Sequence, residues 1–321
     1  MSVGCRLLVA GAFLLLAPIA SGQTYPDKPI RLILAVPAGG TPDVMVRLLT
    51  PGLSSRLGQQ LVVDNRGGAG GLIGAELAAK AAPDGYTLFF AGSSFAILPH
   101  LQKKAAYDAI KGFAPISLVS YGPYLLATRR SVPFKTIKEL IARAKAEPGK
   151  INWASSGSGQ PSHLAMELLK HMTGVNITHV PYKGLPQVIS DMLGDQIDLT
   201  FAAVPTVLPH VKAGRLGLLG VTTAKRFPLL PDVVTISEAG VQGFEWTTWN
   251  GLLAPAGTPP AIVAKLNESL VKVLHEPDIA TKFGARGLSP GGNSVKEFSA
   301  FIREEYGKFG KVVKLTGAKV E

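Results

Sequence analysis

The chain has 321 residues, 46% hydrophobic and only 17% charged, with one cysteine and six histidines beside 36 glycines and 24 prolines. It is too apolar to be disordered and long enough for two lobes, and a lone cysteine excludes both a zinc site built on CxxC pairs and a disulfide framework. The formal charge of +11 permits a polyanion binder, but no run of five basic residues exists and Lys103-Lys104 and Arg129-Arg130 are isolated pairs, so the balance reads as a basic surface that attracts acidic solutes rather than nucleic acid.

Arg6 precedes an apolar run from Leu7 to Ala17, and Ala20-Ser21-Gly22 supplies small residues ahead of Gln23, so residues 1–22 read as an export signal cleaved before Gln23. The rival reading, a membrane anchor, needs about 18 to 20 apolar residues, and this run is interrupted at Pro18. Cys5 lies before the apolar run, which argues against lipid attachment. The mature chain then has no thiol and keeps 32 basic against 22 acidic side chains, a formal +10. Such a chain is neither a cysteine hydrolase nor a disulfide-stapled module.

In chain order, Arg31 to Val36 reads as a buried strand broken by Pro37-Ala38-Gly39-Gly40. Thr41-Pro42-Asp43 is a helix start, with Thr41 as the cap, Pro42 at the first helical position and Asp43 against the dipole; the helix runs to about Leu57. Leu61-Val62-Val63 is a second strand, ending in Asn65-Arg66-Gly67-Gly68-Ala69-Gly70-Gly71, and Ile73 to Ala81 is helix. Pro83-Asp84-Gly85 turns into the strand Tyr86 to Ala91, which ends at Gly92-Ser93-Ser94. The same logic recurs later. Helix Thr136 to Ala146 stops at Pro148-Gly149, strand Ile151 to Ala154 runs into Ser155-Ser156-Gly157-Ser158-Gly159-Gln160, and helix Pro161 to Met172 follows. Strand Thr178 to Tyr182, helix Gln187 to Leu193, strand Ile197 to Phe201, helix Thr206 to Ala213 and strand Leu216 to Thr222 come next. Beyond Trp246-Thr247-Thr248-Trp249 lie strand Leu252 to Ala254 and helices Ala261 to Leu274, Asp278 to Ala285 and Val295 to about Leu315.

This alternation is the signature of parallel α/β architecture. It divides into lobe 1 over 23–121, with 250–321 returning to it, and lobe 2 over 122–249. Crossing segments near Tyr121-Gly122-Pro123 and Trp249-Asn250-Gly251 carry the glycines that hinges use.

Chemistry concentrates in loops that follow strands. Ala38, Gly39, Gly40, Thr41 and Asp43, then Ser93 and Ser94, then Ser156, Gly157 and Ser158, sit where helix N-termini aim N–H groups into the crevice of an open sheet, a place for one or two carboxylates. Equally, the glycines can serve only tight turns. Tyr182, Lys183, Gly184 and Asp198 are further polar candidates; Asp198 either meets a ligand amine or caps its loop. Neither Gly68-Ala69-Gly70 nor Gly157-Ser158-Gly159 has the third glycine of a dinucleotide fingerprint, and no Walker pattern exists. Ser158 lacks the flanking glycine spacing of a nucleophile elbow. His163 orients a ligand or packs, the Trp246 and Trp249 pair is core or carbohydrate platform, and the histidines show no metal-ligand spacing.

Taken together, the chain from about Tyr25 onward resembles the Bug or TctC-type solute receptors of tripartite tricarboxylate transporters. The resemblance rests on Tyr25-Pro26-Asp27-Lys28-Pro29-Ile30, Pro37 to Asp43, Asn65-Arg66 with Gly68 to Gly71, Pro83 to Leu88, Pro181-Tyr182-Lys183-Gly184, Leu230-Pro231-Asp232 and Glu238-Ala239-Gly240, with Gly67, Pro186 and Val234 departing from the usual pattern. It implies a type II periplasmic-binding fold, two α/β lobes closing like a clamshell on a small carboxylated solute held by the first-strand loop and facing loops. The expectation is a periplasmic, monomeric, non-enzymatic receptor without cofactor or metal, serving transporter membrane components or sensing. The rival is an exported serine hydrolase using the same cleft.

Overall fold

The computed structural model describes residues 25–102 and 105–319; the export signal read at 1–22 and the Lys103-Lys104 pair lie outside the described residues. The first strand, β1 (Ile30–Leu34), is a nearly continuous apolar run because both its faces are covered. Helix α1 (Thr41–Leu57) follows, ended by Gly58 at φ 71, a left-handed stop whose N–H reaches Ser54 O. Then come β2 (Leu61–Asn65), α2 (Leu72–Ala79), β3 (Thr87–Gly92) and α3 (Ser94–Leu101). Strands β1 and β2 pair in parallel, as do β1 and β3.

Strand β4 (Phe113–Arg129) is 17 residues long, and the sequence shows there only a crossing segment near Tyr121-Gly122-Pro123 and no strand. Its successors alternate: α4 (Ile137–Ala146), β5 (Asn152–Ser155), α5 (Pro161–Thr173), β6 (Thr178–Pro181), α6 (Leu185–Leu193), β7 (Leu199–Ala203), α7 (Val204–Lys212) and β8 (Leu216–Val221). The chain returns through β9 (Thr247–Pro255), α8 (Pro260–Leu274), α9 (Pro277–Gly284), the two-residue β10 (Ser289–Pro290) and α10 (Val295–Thr316).

The sheet runs β2-β1-β3-β9-β4-β7-β5-β6, with β8 and β10 also paired to β4. It is not uniformly parallel. Strand β9 lies antiparallel to both β3 and β4, and β4 antiparallel to β7 and β8. These are the strands by which the chain leaves lobe 1 and comes back, so one must oppose the other. Strand β4 changes partners within one peptide: Pro123 pairs with Thr247 of β9, and Tyr124 pairs with Ala203 of β7. The second crossing precedes Thr247, earlier than the glycine signal indicates. Gly251 is inside β9, paired to Ala91 and Leu118, and a side chain there would overlap the Phe298 ring. That glycine makes room for α10 rather than a hinge.

Separate apolar clusters fill the outer face of each lobe, while a third runs through both, joining Phe89 and Phe95 to Trp153, Phe201, Trp246 and Trp249. Helix α10 lies over this shared core. Ser294 and Glu297 form its capping box, and Phe298, Ile302, Glu305, Phe309 and Val312 are its buried stripe at helical spacing. Trp246 and Trp249 are fully buried, against Phe309 and against Phe298 and Phe301, which makes them core and not a carbohydrate platform.

Candidate functional site

Strands β1, β2, β3, β5 and β6 each end in a turn or loop that leads into a helical turn, and glycine lets these loops approach one another. A methyl group on Gly67 would stand 3.0 Å from Pro37 N, and one on Gly71 would stand 3.4 Å from Ala35 and 3.7 Å from Ser94 Oγ. One on Gly70 would stand 3.2 Å from Gln160 Nε2 and 3.7 Å from Ser158 O, across the cleft, and one on Gly157 would stand 3.3 Å from Tyr182 O. The loops at 35–40, 66–71, 94, 157–160 and 182–184 are therefore one neighbourhood drawn from both lobes.

In the first loop the helix starts one place earlier than the sequence suggests. Gly40 is the N-cap of α1 and Thr41 the first helical residue, so Thr41 does not cap; no side chain does. Asp43 reaches back instead. Its Oδ2 accepts from Gly39 N at 2.9 Å and Arg47 Nε at 3.0 Å, and its Oδ1 accepts from Asn65 Nδ2 at 3.1 Å. The same Asn65 amide donates to Val36 O at 3.2 Å. Burial pushes the Asp43 carboxyl up, but Arg47, the Gly39 N–H and Asn65 outweigh it and hold it below the usual carboxylate range. Asp43 is thus the post around which the loop is wound. The N–H groups of Ala38, Gly40 and Thr41 find no acceptor among the described residues.

Ser93 and Ser94 divide their work. Ser93, 1% exposed, accepts the Trp249 N–H at 2.8 Å through Oγ and lies 3.2 Å from Thr248 Oγ1, so it ties β3 to the returning strand. Ser94 opens α3 and keeps part of its surface beside Gly71.

The third loop is more self-contained than a simple donor cradle. Ser156 N donates to Ser162 Oγ at 3.1 Å, Gly157 N to Ser155 Oγ at 3.2 Å, Gly159 N to His163 Nδ1 at 3.1 Å, and Gln160 N to Gly157 O at 3.1 Å. Among the N–H groups of residues 156–160, that of Ser158 alone has no acceptor among the described residues. His163 packs: its ring stacks 4.6 Å from His179, which stacks 4.1 Å from Trp153. The His179 imidazole is drawn down to about 4 by burial, with His163 and Lys170 adding repulsion, and its Nε2 meets Ser155 Oγ at 2.7 Å. Ser155 is fully buried, so this serine–histidine contact is closed to a substrate, and Ser158 has no hydrogen bond to a histidine or carboxylate among the described residues.

Tyr182 belongs to the neighbourhood through its backbone. Its N–H donates to Ser155 O at 3.2 Å, while its phenol, pushed up to about 12 by burial and by Asp191, donates to Asp191 Oδ2 on α6. Lys183 is exposed and Gly184 is the N-cap of α6.

Asp198 does not join the others. It precedes β7 at the opposite end of β5 from the 155–160 loop, where Oδ1 accepts from Arg129 Nε at 2.8 Å and Oδ2 from Asn152 N at 2.8 Å. A carboxylate so satisfied is a fastening between the end of β4 and the starts of β5 and β7, not a cleft group. The residues that sequence reasoning left out of the site are Asn65, signalled by its place before a glycine run and by the Asn65-Arg66 motif of the resemblance, and Gln160, whose partner is distant in sequence.

The cleft thus offers uncommitted N–H groups and the N-terminal ends of α1, α3, α5 and α6, with Arg47 already spent on Asp43. Such an arrangement can accept a carboxylate by charge-assisted hydrogen bonds without a buried basic side chain.

Residues 45–318 match the model of the TctC family, described as the tripartite tricarboxylate transporter family receptor. The protein BugT of Bordetella pertussis is 36% identical over 326 residues, covering 100% of both chains. Among solved structures, R. palustris Rpa4515 with adipate superposes with a TM-score of 0.88 at 35% identity, over 92% of this chain and 100% of that one. The structure described as the periplasmic binding protein BugD gives a TM-score of 0.85 at 34% identity, again over 92% of this chain and 100% of the other.

Proposed function

The chain belongs to the tripartite tricarboxylate transporter receptor family, and on that premise we propose that it captures a small dicarboxylate in the periplasm by closing its two lobes, without chemical turnover. The observation that carries this reading is the set of unbonded N–H groups at Ala38, Gly40 and Thr41 in one lobe and Ser158 in the other, each in a glycine-rich loop leading into a helix. Ser94, Gly157, Tyr182, Lys183 and Gly184 complete the wall, Ser93 and Asp43 hold it from behind, and Ser156 anchors its own loop. The adipate named with Rpa4515 supplies the probe.

Residues 1–22 are removed on export in this reading, and the mature chain begins at Gln23. Lobe 1 takes 23–121 and 250–321, and lobe 2 takes 122–249; the partner switch of β4 after Pro123 supports the first boundary, while the start of β9 at Thr247 favours a second boundary a few residues earlier. The receptor works as a monomer that hands its ligand to transporter membrane components or to a sensor.

Native mass spectrometry of protein purified from periplasm tests three of these points at once: the mature mass, the monomer and any retained acid. Adipate should raise the melting temperature without being consumed. Release of product from esters or amides that disappears in Ser158→Ala would replace the receptor reading with the hydrolase.

A further inference from the structure

Resting on the receptor reading, we infer that Gln160 and the run Gly68–Gly71 form a closure latch whose contribution is to the lifetime of the closed, loaded state. Gln160 is the N-cap residue of α5, but its side chain does not cap the helix; Nε2 donates across the cleft to Gly70 O at 2.6 Å. Among the described residues this is the hydrogen bond that joins the two lobes at the cleft face, remote from the crossing strands.

The acceptor side is built at a cost. Four consecutive residues have positive φ: Gly68 at 119°, Ala69 at 45°, Gly70 at 70° and Gly71 at 104°. Left-handed backbone is disfavoured for Ala69, and a strained stretch persists where its surroundings and its use require it. What the stretch achieves here is the aim of Gly70 O at the other lobe. Gly70 must also lack a side chain, since a methyl group would press on Gln160 Nε2 at 3.2 Å and Leu98 at 3.4 Å. On the donor side Gly157 at φ 141° and Gly159 at φ 79° fold the loop so that Gln160 N is held by Gly157 O, which fixes the origin of the side chain. The latch pairs backbone carbonyl with amide and needs no ligand atom. It therefore biases closure equally for every ligand that fits, and sets dwell time rather than selectivity.

Gln160→Leu and Gln160→Ala test this in the full mature protein. A hydrogen bond made only in the closed state is worth about a three- to tenfold change in affinity. The expected result is that adipate dissociates about three- to tenfold faster from either variant while its association rate stays within twofold, and that the ligand-free melting temperature is unchanged. Small-angle scattering of the ligand-free protein supplies a readout that does not depend on adipate: the variants should show a larger radius of gyration than wild type. If wild type ignores adipate, the choice of acid fails and the scattering still decides the latch. Unchanged scattering with unchanged dissociation overturns the latch. So does a fall of several degrees in the ligand-free melting temperature, which would make Gln160 a prop of lobe 2 alone.

Discussion

Tyr124 and Thr222 exchange two hydrogen bonds at the peptide where β4 passes from one lobe to the other. Tyr124 N donates to Thr222 Oγ1 at 2.8 Å and Thr222 N donates to Tyr124 O at 3.1 Å. Thr222 also holds the returning segment, accepting Trp246 N at 2.8 Å on its carbonyl and donating Oγ1–H to Trp246 O at 2.6 Å. One fully buried threonine thus binds both crossings, and the sequence signalled neither bond because Thr222 reads only as the end of a strand.

Removing that hydroxyl while keeping the shape isolates its contribution. Thr222→Val leaves the Tyr124 N–H and the Trp246 carbonyl buried without Oγ1, a loss of about 2 to 4 kcal/mol. For a domain of this size each kcal/mol moves the melting temperature by about 2 to 4 °C, so calorimetry should find a fall of roughly 4 to 16 °C. A fall under 2 °C would remove Thr222 as the tie between crossings.

Gly40 and Gly39 should separate binding from folding. Gly40 has φ −72°, and an added carbon there meets nothing nearer than 3.7 Å, so Gly40→Val should fold and put a branched side chain at the proposed carboxylate anchor. Losing one charge-assisted hydrogen bond weakens adipate binding by about ten- to a hundredfold, read by calorimetric titration with the circular dichroism spectrum unchanged. Gly39 has φ 83°, so Gly39→Val strains the loop itself and should lower the melting temperature as well. Undiminished binding by a folded Gly40→Val protein would move the anchor to Ser158.

Asp43→Ala removes the acceptor of three donors at once. The Gly39 N–H and the Asn65 amide lose a buried partner, with a cost of about 2 kcal/mol by chemical denaturation. Adipate affinity should fall with it, since the loop that presents Gly40 and Thr41 is no longer wound. Asp43→Asn should retain part of both. Equal behaviour of the two variants would show that the charge, and not the acceptor geometry, organises the loop.

Acid should weaken the protein before its carboxylates titrate. His179 is drawn to about 4 by burial, while an unfolded histidine titrates near 6.5, so between those values the unfolded chain binds the extra proton. Stability is complete above about pH 6.5 and is lost as pH falls toward 4. Allowing for the part of the ring that water reaches, the loss is roughly 2 kcal/mol. Urea midpoints at pH 7 and pH 4.5 measure it, and His179→Gln should flatten the difference. An equal slope in wild type and variant would assign the acid sensitivity to another group.

The parts of this molecule that the sequence made legible are those with local punctuation. Strands that end in glycine and serine before a helix were visible because turn chemistry and helix period act over a few residues, and so the loops at 38–43 and 155–160 stood out. Strand β4 was not visible. Pro115, Ser117, Ser120, Gly122 and Pro123 interrupt its apolar run, and it changes partners midway, so it shows neither alternation nor one buried face. Asp198 looked like a cleft group because a carboxylate in an apolar strand needs a partner; which end of the strand it marks depends on Arg129 and Asn152, 69 and 46 residues away. Gln160 and Gly70 are 90 residues apart and meet only when two lobes do.

Strand β9 sits between β3 and β4, and Trp249 near its start is covered by Phe298 and Phe301. The sheet of the first lobe therefore has a gap in its middle until residues 247–255 arrive, and the shared core stays wet until α10 is added. Strands β1, β2 and β3 can pair with one another early, but the edge of β3 that β9 covers stays open, so the sheet of the first lobe is completed only by the last quarter of the chain. The first lobe is therefore a sheet begun by the first strands and closed by nearly the last, and a chain cut short of residue 247 would present the β3 edge as an open template for other strands.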